Sequence, residues 1–183
     1  MTKGRIFLAG LAAATIALAA GIYTGLQRAE PPAESAPVLA PGSIDKFFAS
    51  TLNDINGKPQ AFAQWRGKTL IINFWATWCP PCREEMPAFS RLQAKHAANG
   101  VQFVGIALDS IHAVREFSLQ YPVTYPLLIG DTDSGDLARQ LGNPRLALPY
   151  TLIISPDGEA RFSRLGTLSE QEFDLLIQQS TAR

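Results

Sequence analysis

The sequence predicts an α/β domain, a central mixed sheet flanked by helices, and three observations carry that prediction. Two short apolar runs, "TLIINFWA" (Thr69–Ala76) and "VQFVGIAL" (Val101–Leu108), have the length and β-rich composition of strands buried on both faces. Segments with apolar residues at helical spacing alternate with these runs. A hairpin and a last helix then close the chain, completing the α/β pattern.

The elements follow in order. Lys3 and Arg5 precede an uncharged run of 21 residues from Ile6 to Leu26, close to the roughly 20 that span hydrocarbon as a helix. Residues 1–28 therefore read as a signal-anchor with one transmembrane helix. Its basic end stays in the cytoplasm, and everything after Arg28 crosses the membrane. Ala17-Leu18-Ala19 offers a small-residue cleavage site, so a cleaved signal peptide is the alternative, although the apolar run continues past it through Ile22, Tyr23 and Leu26. Residues 29–41, "AEPPAESAPVLAP", read as a semi-extended tether reaching about 40 Å at roughly 3.1 Å per residue. Residues 42–183 form the folded domain, long enough to bury a core without staples.

Within the domain, Phe47–Leu52 and Gln60–Phe62 flank "NDINGK", whose Asn56-Gly57 turn signal predicts a hairpin. After the Thr69–Ala76 strand, Cys82, Met86, Phe89 and Leu92 recur at helical spacing until Gly100 ends the helix. Asp109 or Ser110 caps a helix running through Gln120. "YPLLIGD" contains a short strand, followed by a helix near Ser134–Leu141. Tyr150–Ser155 and Ala160–Leu165 flank "PDGE" and form the closing hairpin. Ser169 and Glu172 make a capping box for the last helix.

Formal charge is zero overall, with three basic residues and no acid in residues 1–28, leaving 13 basic against 16 acidic residues beyond. Nucleic-acid partners are excluded, since they call for a basic patch.

The chemistry rests on the only two cysteines, in "FWATWCPPCREEMP" (Phe74–Pro87). A disulfide between Cys79 and Cys82 closes a tiny loop worth only about 2 kcal/mol, too little for a staple to be its purpose. A structural zinc site needs four ligands. The chain adds only His96 and His112, both read as solvated helix residues. Copper held by the two thiols and Met86 stays open as the alternative function, a copper-binding chaperone. Thiol–disulfide exchange is the third reading. Cys79 stands at the exposed start of a helix, where unpaired amides and the helix dipole favour a thiolate. Cys82 lies one turn further in, shielded on the face of Met86 and Phe89, as a resolving sulfur should be. No cofactor is required.

These residues resemble the TlpA/ResA-like membrane-anchored thiol–disulfide oxidoreductases of the thioredoxin superfamily. "NFWATWCPPC" and "LPYTLIISPDG" carry the likeness over residues 42–183, and the anchor matches as well. The resemblance implies a thioredoxin-like fold with an N-terminal hairpin, a central strand–helix insertion around Leu127–Leu141, and an active-site helix kinked at Pro87. It implies a cis peptide before Pro149 beside the cysteines, with Leu148 and Trp78 meeting the client protein. It also implies a bacterial inner-membrane protein with its catalytic domain in the periplasm, or a soluble periplasmic one after cleavage. Its partners are then protein clients with disulfides or thiols, such as apocytochrome c or copper-site proteins, and a membrane electron donor. Thioredoxin itself has a buried aspartate where this chain has Asn73. An amide cannot accept a proton, and the family's functional glutamate falls at Glu85, one turn after Cys82, as the acceptor for the Cys82 proton.

Overall fold

Residues 37–130 and 132–181 are described by a computed structural model. The anchor expected at residues 1–28 lies outside them. Among the described residues no helix is long and apolar enough to cross a membrane.

The first element differs from expectation. Phe47–Ser50 is not strand; helix α1 occupies Ser43–Ala49, and strand β1 begins only at Thr51. Adjacent Phe47 and Phe48 are both buried, which a half-buried strand with alternating side chains cannot achieve. A helix turns each side chain by about 100° and can wedge both rings inward. Phe47 packs 4.3 Å from Phe62, which in turn meets Trp65 at 5.6 Å between ring centroids.

The expected hairpin follows as β1 (Thr51–Asp54) and β2 (Pro59–Ala61). Its turn is held by the Asp54 carboxylate, which accepts the N–H groups of Asn56 and Lys58 at 2.8 and 3.0 Å. Gly57 supplies the positive φ of 81° that the turn requires. The remaining elements are β3 (Thr69–Trp75), α2 (Pro80–His96), β4 (Val101–Ala107), α3 (Ile111–Gln120), β5 (Leu127–Ile129), α4 (Thr132–Gln140), β6 (Tyr150–Ile154), β7 (Ala160–Leu165) and α5 (Glu170–Thr181). Their order and type match the sequence reading from β3 onward.

The seven strands form one mixed sheet in the order β2-β1-β5-β4-β3-β6-β7. Strands β3, β4 and β5 are parallel, while β6 runs antiparallel to β3 and β1 antiparallel to β5. Side-chain alternation divides the core in two. Ile71 and Trp75 of β3, Phe103 of β4 and Ile153 of β6 point toward α2, α3 and α5. Leu70, Ile72, Phe74, Val104 and Leu152 point the other way, toward α1 and α4, where Leu39 also packs. Each fully buried large side chain contributes about 1.5–3 kcal/mol.

Three further details complete the fold. Pro87 lies inside α2, which continues through it to His96. The α5 capping box forms as expected, Ser169 N–H donating to Glu172 at 3.0 Å and Glu172 N–H to the Ser169 hydroxyl at 3.3 Å. Finally, β4 starts earlier than its neighbour β5, whose register with it covers only Gly105–Ala107. The Gln93 carboxamide from α2 serves the uncovered stretch, accepting Phe103 N–H at 2.7 Å and donating to the Val101 carbonyl at 3.2 Å.

Candidate active site

Strand β3 ends at Trp75, and a short loop carries the chain to the helix that begins after Cys79. Two ties fix that loop to the end of β4. Leu108 N–H donates to the Trp75 carbonyl at 2.8 Å. Thr77 donates through its N–H and its hydroxyl to Asp109, at 3.1 and 2.5 Å. Asp109 is thereby committed to the loop, and Ser110 alone caps α3 by accepting Ala113 N–H at 3.2 Å. Nothing in the local sequence announced this partnership across 32 residues.

Cys79 and Cys82 are joined in a disulfide with Cα atoms 5.4 Å apart. Cys79 is the N-cap of α2, and Pro80 and Pro81 take the first two helical positions. Both lack N–H groups, so the amide of Cys82 is the first donor the helix presents. Cys82 is fully buried, as expected. Cys79 is not exposed in this disulfide form: it retains 4% exposure, enclosed with Ala76, Cys82 and Leu148 in the α2-side core. Trp78, in contrast, is 68% exposed beside it. Arg83 follows Cys82 and lays its guanidinium 5.3 Å from the Tyr121 ring centroid, a cation–π contact at the rim.

The peptide between Leu148 and Pro149 is cis. Leu148 is half-buried, Pro149 is buried, and β6 starts at the next residue. Leu148 packs against the cluster that holds Cys79 and Cys82, Pro149 precedes Tyr150, the partner of Phe74 near the end of β3, and Trp78 stands exposed next to Cys79.

Beneath the cysteines lies a polar row. Glu85 is buried on α2 and accepts Asn73 Nδ2–H at 3.0 Å. The same amide donates to Thr151 Oγ1 at 3.1 Å. Asn73 and Thr151 are direct cross-strand partners, so the row spans β3 and β6 under the helix. Burial pushes the Glu85 carboxyl up to about 8, against a smaller lowering by the Asn73 hydrogen bond. Burial, and secondarily the charge of Glu85, also push the Tyr125 phenol up, keeping it protonated. Asn73, read from sequence as a lost proton acceptor, is the donor that holds the glutamate. Thr151 was missed, although its odd-numbered place in β6 puts it on the same face as Asn73.

The histidines depart from expectation in part. His112 is exposed, but His96 is buried and bonded to Asp174 at 2.6 Å, part of a clasp between α2 and α5. Among the described residues no group of three or more His, Cys, Asp or Glu side chains is placed to hold a metal ion.

Residues 44–163 match the AhpC/TSA family. The chain belongs to that family. Among its relatives, the thiol-disulfide oxidoreductase ResA of Bacillus subtilis is 34% identical over 120 residues, 65% of either chain. ResA of Geobacillus kaustophilus is 29% identical over 137 residues, 74% of this chain and 75% of its own. Among solved structures, a thiol:disulfide interchange protein of the thioredoxin family from Chlorobium tepidum superposes with a TM-score of 0.66 at 28% identity, over 82% of this chain and all of its own. A thioredoxin-related protein from Neisseria meningitidis reaches a TM-score of 0.66 at 30% identity, over 72% of this chain and 99% of its own. This member of the AhpC/TSA family is accordingly a TlpA/ResA-like thiol–disulfide oxidoreductase with a thioredoxin-like fold.

Proposed function

We propose that the chain is an extracytoplasmic disulfide reductase for protein clients, tethered to the bacterial inner membrane through residues 1–28 and recharged by a membrane electron donor. The observation that carries the mechanism is a buried, protonatable Glu85 one turn beyond the shielded Cys82. Cys79 thiolate attacks a client disulfide, forming a mixed disulfide and releasing one client thiolate. In the fraction of molecules whose Glu85 is ionised, a fraction that grows as pH approaches 8, Cys82 then passes its proton to the Glu85 carboxylate and attacks the Cys79 sulfur, releasing the second client thiolate. The product is the Cys79–Cys82 disulfide, and two electrons have moved to the client. Desolvation gives Glu85 a proton affinity close to that of a thiol, which is what a proton exchange with Cys82 near neutral pH requires.

Trp78 serves as the apolar lip for the client, and Leu148 presents its backbone to a client strand beside Pro149. The reducing direction follows from Pro80 and Pro81. Without their two N–H groups the helix start stabilises the Cys79 thiolate less, so the reduced form is less favoured than with a donor-rich pair. Clients of the apocytochrome c or copper-site type suit such a reductant.

Trapping is the decisive experiment. Cys82→Ser is expected to accumulate mixed disulfides in cells and Cys79→Ser to accumulate none; trapping through Cys82 alone overturns the order of attack. Pro149→Ala should slow exchange with protein clients more than with a small thiol. Replacing Pro80-Pro81 with Gly-His should raise the reduction potential in a redox titration, and an unchanged potential removes the donor-counting argument.

A further inference from the structure

We infer that Asn143 is a positioning residue for client docking: its carboxamide stands in for a neighbouring strand along Ala147 and leaves the backbone of Leu148 for the client. The inference rests on the reading that Leu148 pairs with a client strand. Asn143 is buried in the loop between α4 and β6. Its Oδ1 accepts Ala147 N–H at 3.0 Å, and its Nδ2 donates to the Ala147 carbonyl at 2.9 Å. This is the two-bond pattern that one strand residue offers another across an antiparallel pair. Asn143 is itself held from both sides, its N–H donating to Ala138 and its carbonyl accepting Leu146 N–H, at 2.9 and 3.2 Å.

The rest of the segment is equally committed. Leu146 takes a left-handed φ of 52°, a conformation that a leucine keeps only where its surroundings impose it. Tyr150, just after the cis peptide, donates its hydroxyl to the Leu141 carbonyl at 2.7 Å and so pins the loop's other end. The Pro149 carbonyl accepts Gly166 N–H at 2.9 Å, and Pro149 has no N–H of its own. Between Ala147 and Pro149, only Leu148 keeps both N–H and C=O without a partner among the described residues. A half-buried backbone pair of this kind, next to the reacting disulfide, is a fixed docking point of one residue. Asn143 fixes its direction. A side chain of another shape releases Ala147, lets the segment turn, and offers the client a choice of registers.

The test uses the full chain and two disulfide substrates: a peptide with an intramolecular disulfide, and hydroxyethyl disulfide, which has no backbone to pair. A peptide series with single N-methyl groups flanking the cysteine reports which client N–H is used. In the parent, one methylation is expected to cost about tenfold in kcat/KM, the loss of one backbone hydrogen bond in a desolvated site. Asn143→Ala should raise KM for the peptide about tenfold, leave hydroxyethyl disulfide within about twofold, and erase the methylation pattern. Asn143→Asp keeps the bond from Ala147 N–H but sets an oxygen against the Ala147 carbonyl. It should give the same peptide-only defect, and it serves if the alanine variant does not fold. A parent indifferent to every methylation overturns the strand-pairing reading of Leu148 itself. A parent that is sensitive, with variants showing the same pattern and KM, overturns the role of Asn143 alone. Equal loss on both substrates also overturns it, as plain structural damage.

Discussion

The two faces of the sheet are built to different standards. The face toward α1 and α4 is packed by Phe47, Phe62, Leu70, Ile72, Phe74 and Leu152, all nearly or fully buried hydrocarbon. The face toward α2 and α5 holds a comparable apolar cluster, but Asn73, Glu85, Gln93, His96 and Thr151 are buried with it. The side-chain atoms that lack a hydrogen-bond partner while buried, among the described residues, are Asn73 Oδ1, Trp75 Nε1 and Tyr125 Oη, all on this second face. Interiors normally leave few such atoms unpaired because each costs about 1–3 kcal/mol. The first face is mostly hydrocarbon, whereas the second accepts buried polar and unpaired atoms around Glu85.

That contrast can be broken first from the dry side. Phe62→Ala should cost about 4 kcal/mol by cavity formation, read as a fall in the denaturant midpoint. The exchange rate per folded molecule should not change; a matching loss of activity would mean that the two faces are not separable. On the polar side, Glu85→Gln should slow the resolving step about 100-fold, measured as the lifetime of a mixed disulfide formed with a model peptide. A lifetime equal to the parent's removes Glu85 from the proton transfer.

The same residue sharpens the comparison through pH. Glu85 releases its proton near 4.5 when unfolded and near 8 when folded. Between those values the folded state holds a proton that the unfolded state has already lost. Stability is therefore greatest below the lower value, falls as pH rises toward 8, and levels off above it. The slope attributable to this one group is at most about 1.4 kcal/mol per pH unit. Denaturant melts of the disulfide form from pH 5 to 9 should show that decline in the parent and lose this component in Glu85→Gln. A parent without the decline argues against a buried, high-affinity carboxyl.

Two smaller effects complete the series. Trp78→Ala should slow reaction with protein clients about threefold to tenfold, as loss of one exposed aromatic contact, with no change toward a small disulfide. Lys95→Ala removes an exposed ion pair to Asp174 and should shift stability by less than about 1 kcal/mol, without effect on exchange.

The same division explains what was legible in the sequence. Strands β3, β4 and β6 were readable because continuous apolar runs have few other places to go, and the α5 cap because its residues are three apart. Helix α1 was misread since the pair Phe47-Phe48 fits a strand end until Phe62 and Trp65 are known to lie across from it. Of the site, Cys79 and Cys82 lie three residues apart in sequence and announce themselves. Glu85 and Pro149 came only through the family likeness. The partnerships of Asn73 with Thr151, 78 residues apart, and of Thr77 with Asp109 depend on strand register, which local spacing does not encode.

Gln93 has a consequence for solubility. Where β4 outruns β5, the N–H of Phe103 and the carbonyl of Val101 form a short open template on which a stray chain could add a strand. The Gln93 carboxamide fills both positions. The outer strands are guarded by other means: β2 has three residues including Pro59, and β7 carries Arg161 and Arg164. Under the proposed function, an oxidoreductase that pairs with client strands beside its disulfide works among sticky, half-folded chains. Closing the other edges would then confine strand pairing to the docking point proposed at Leu148.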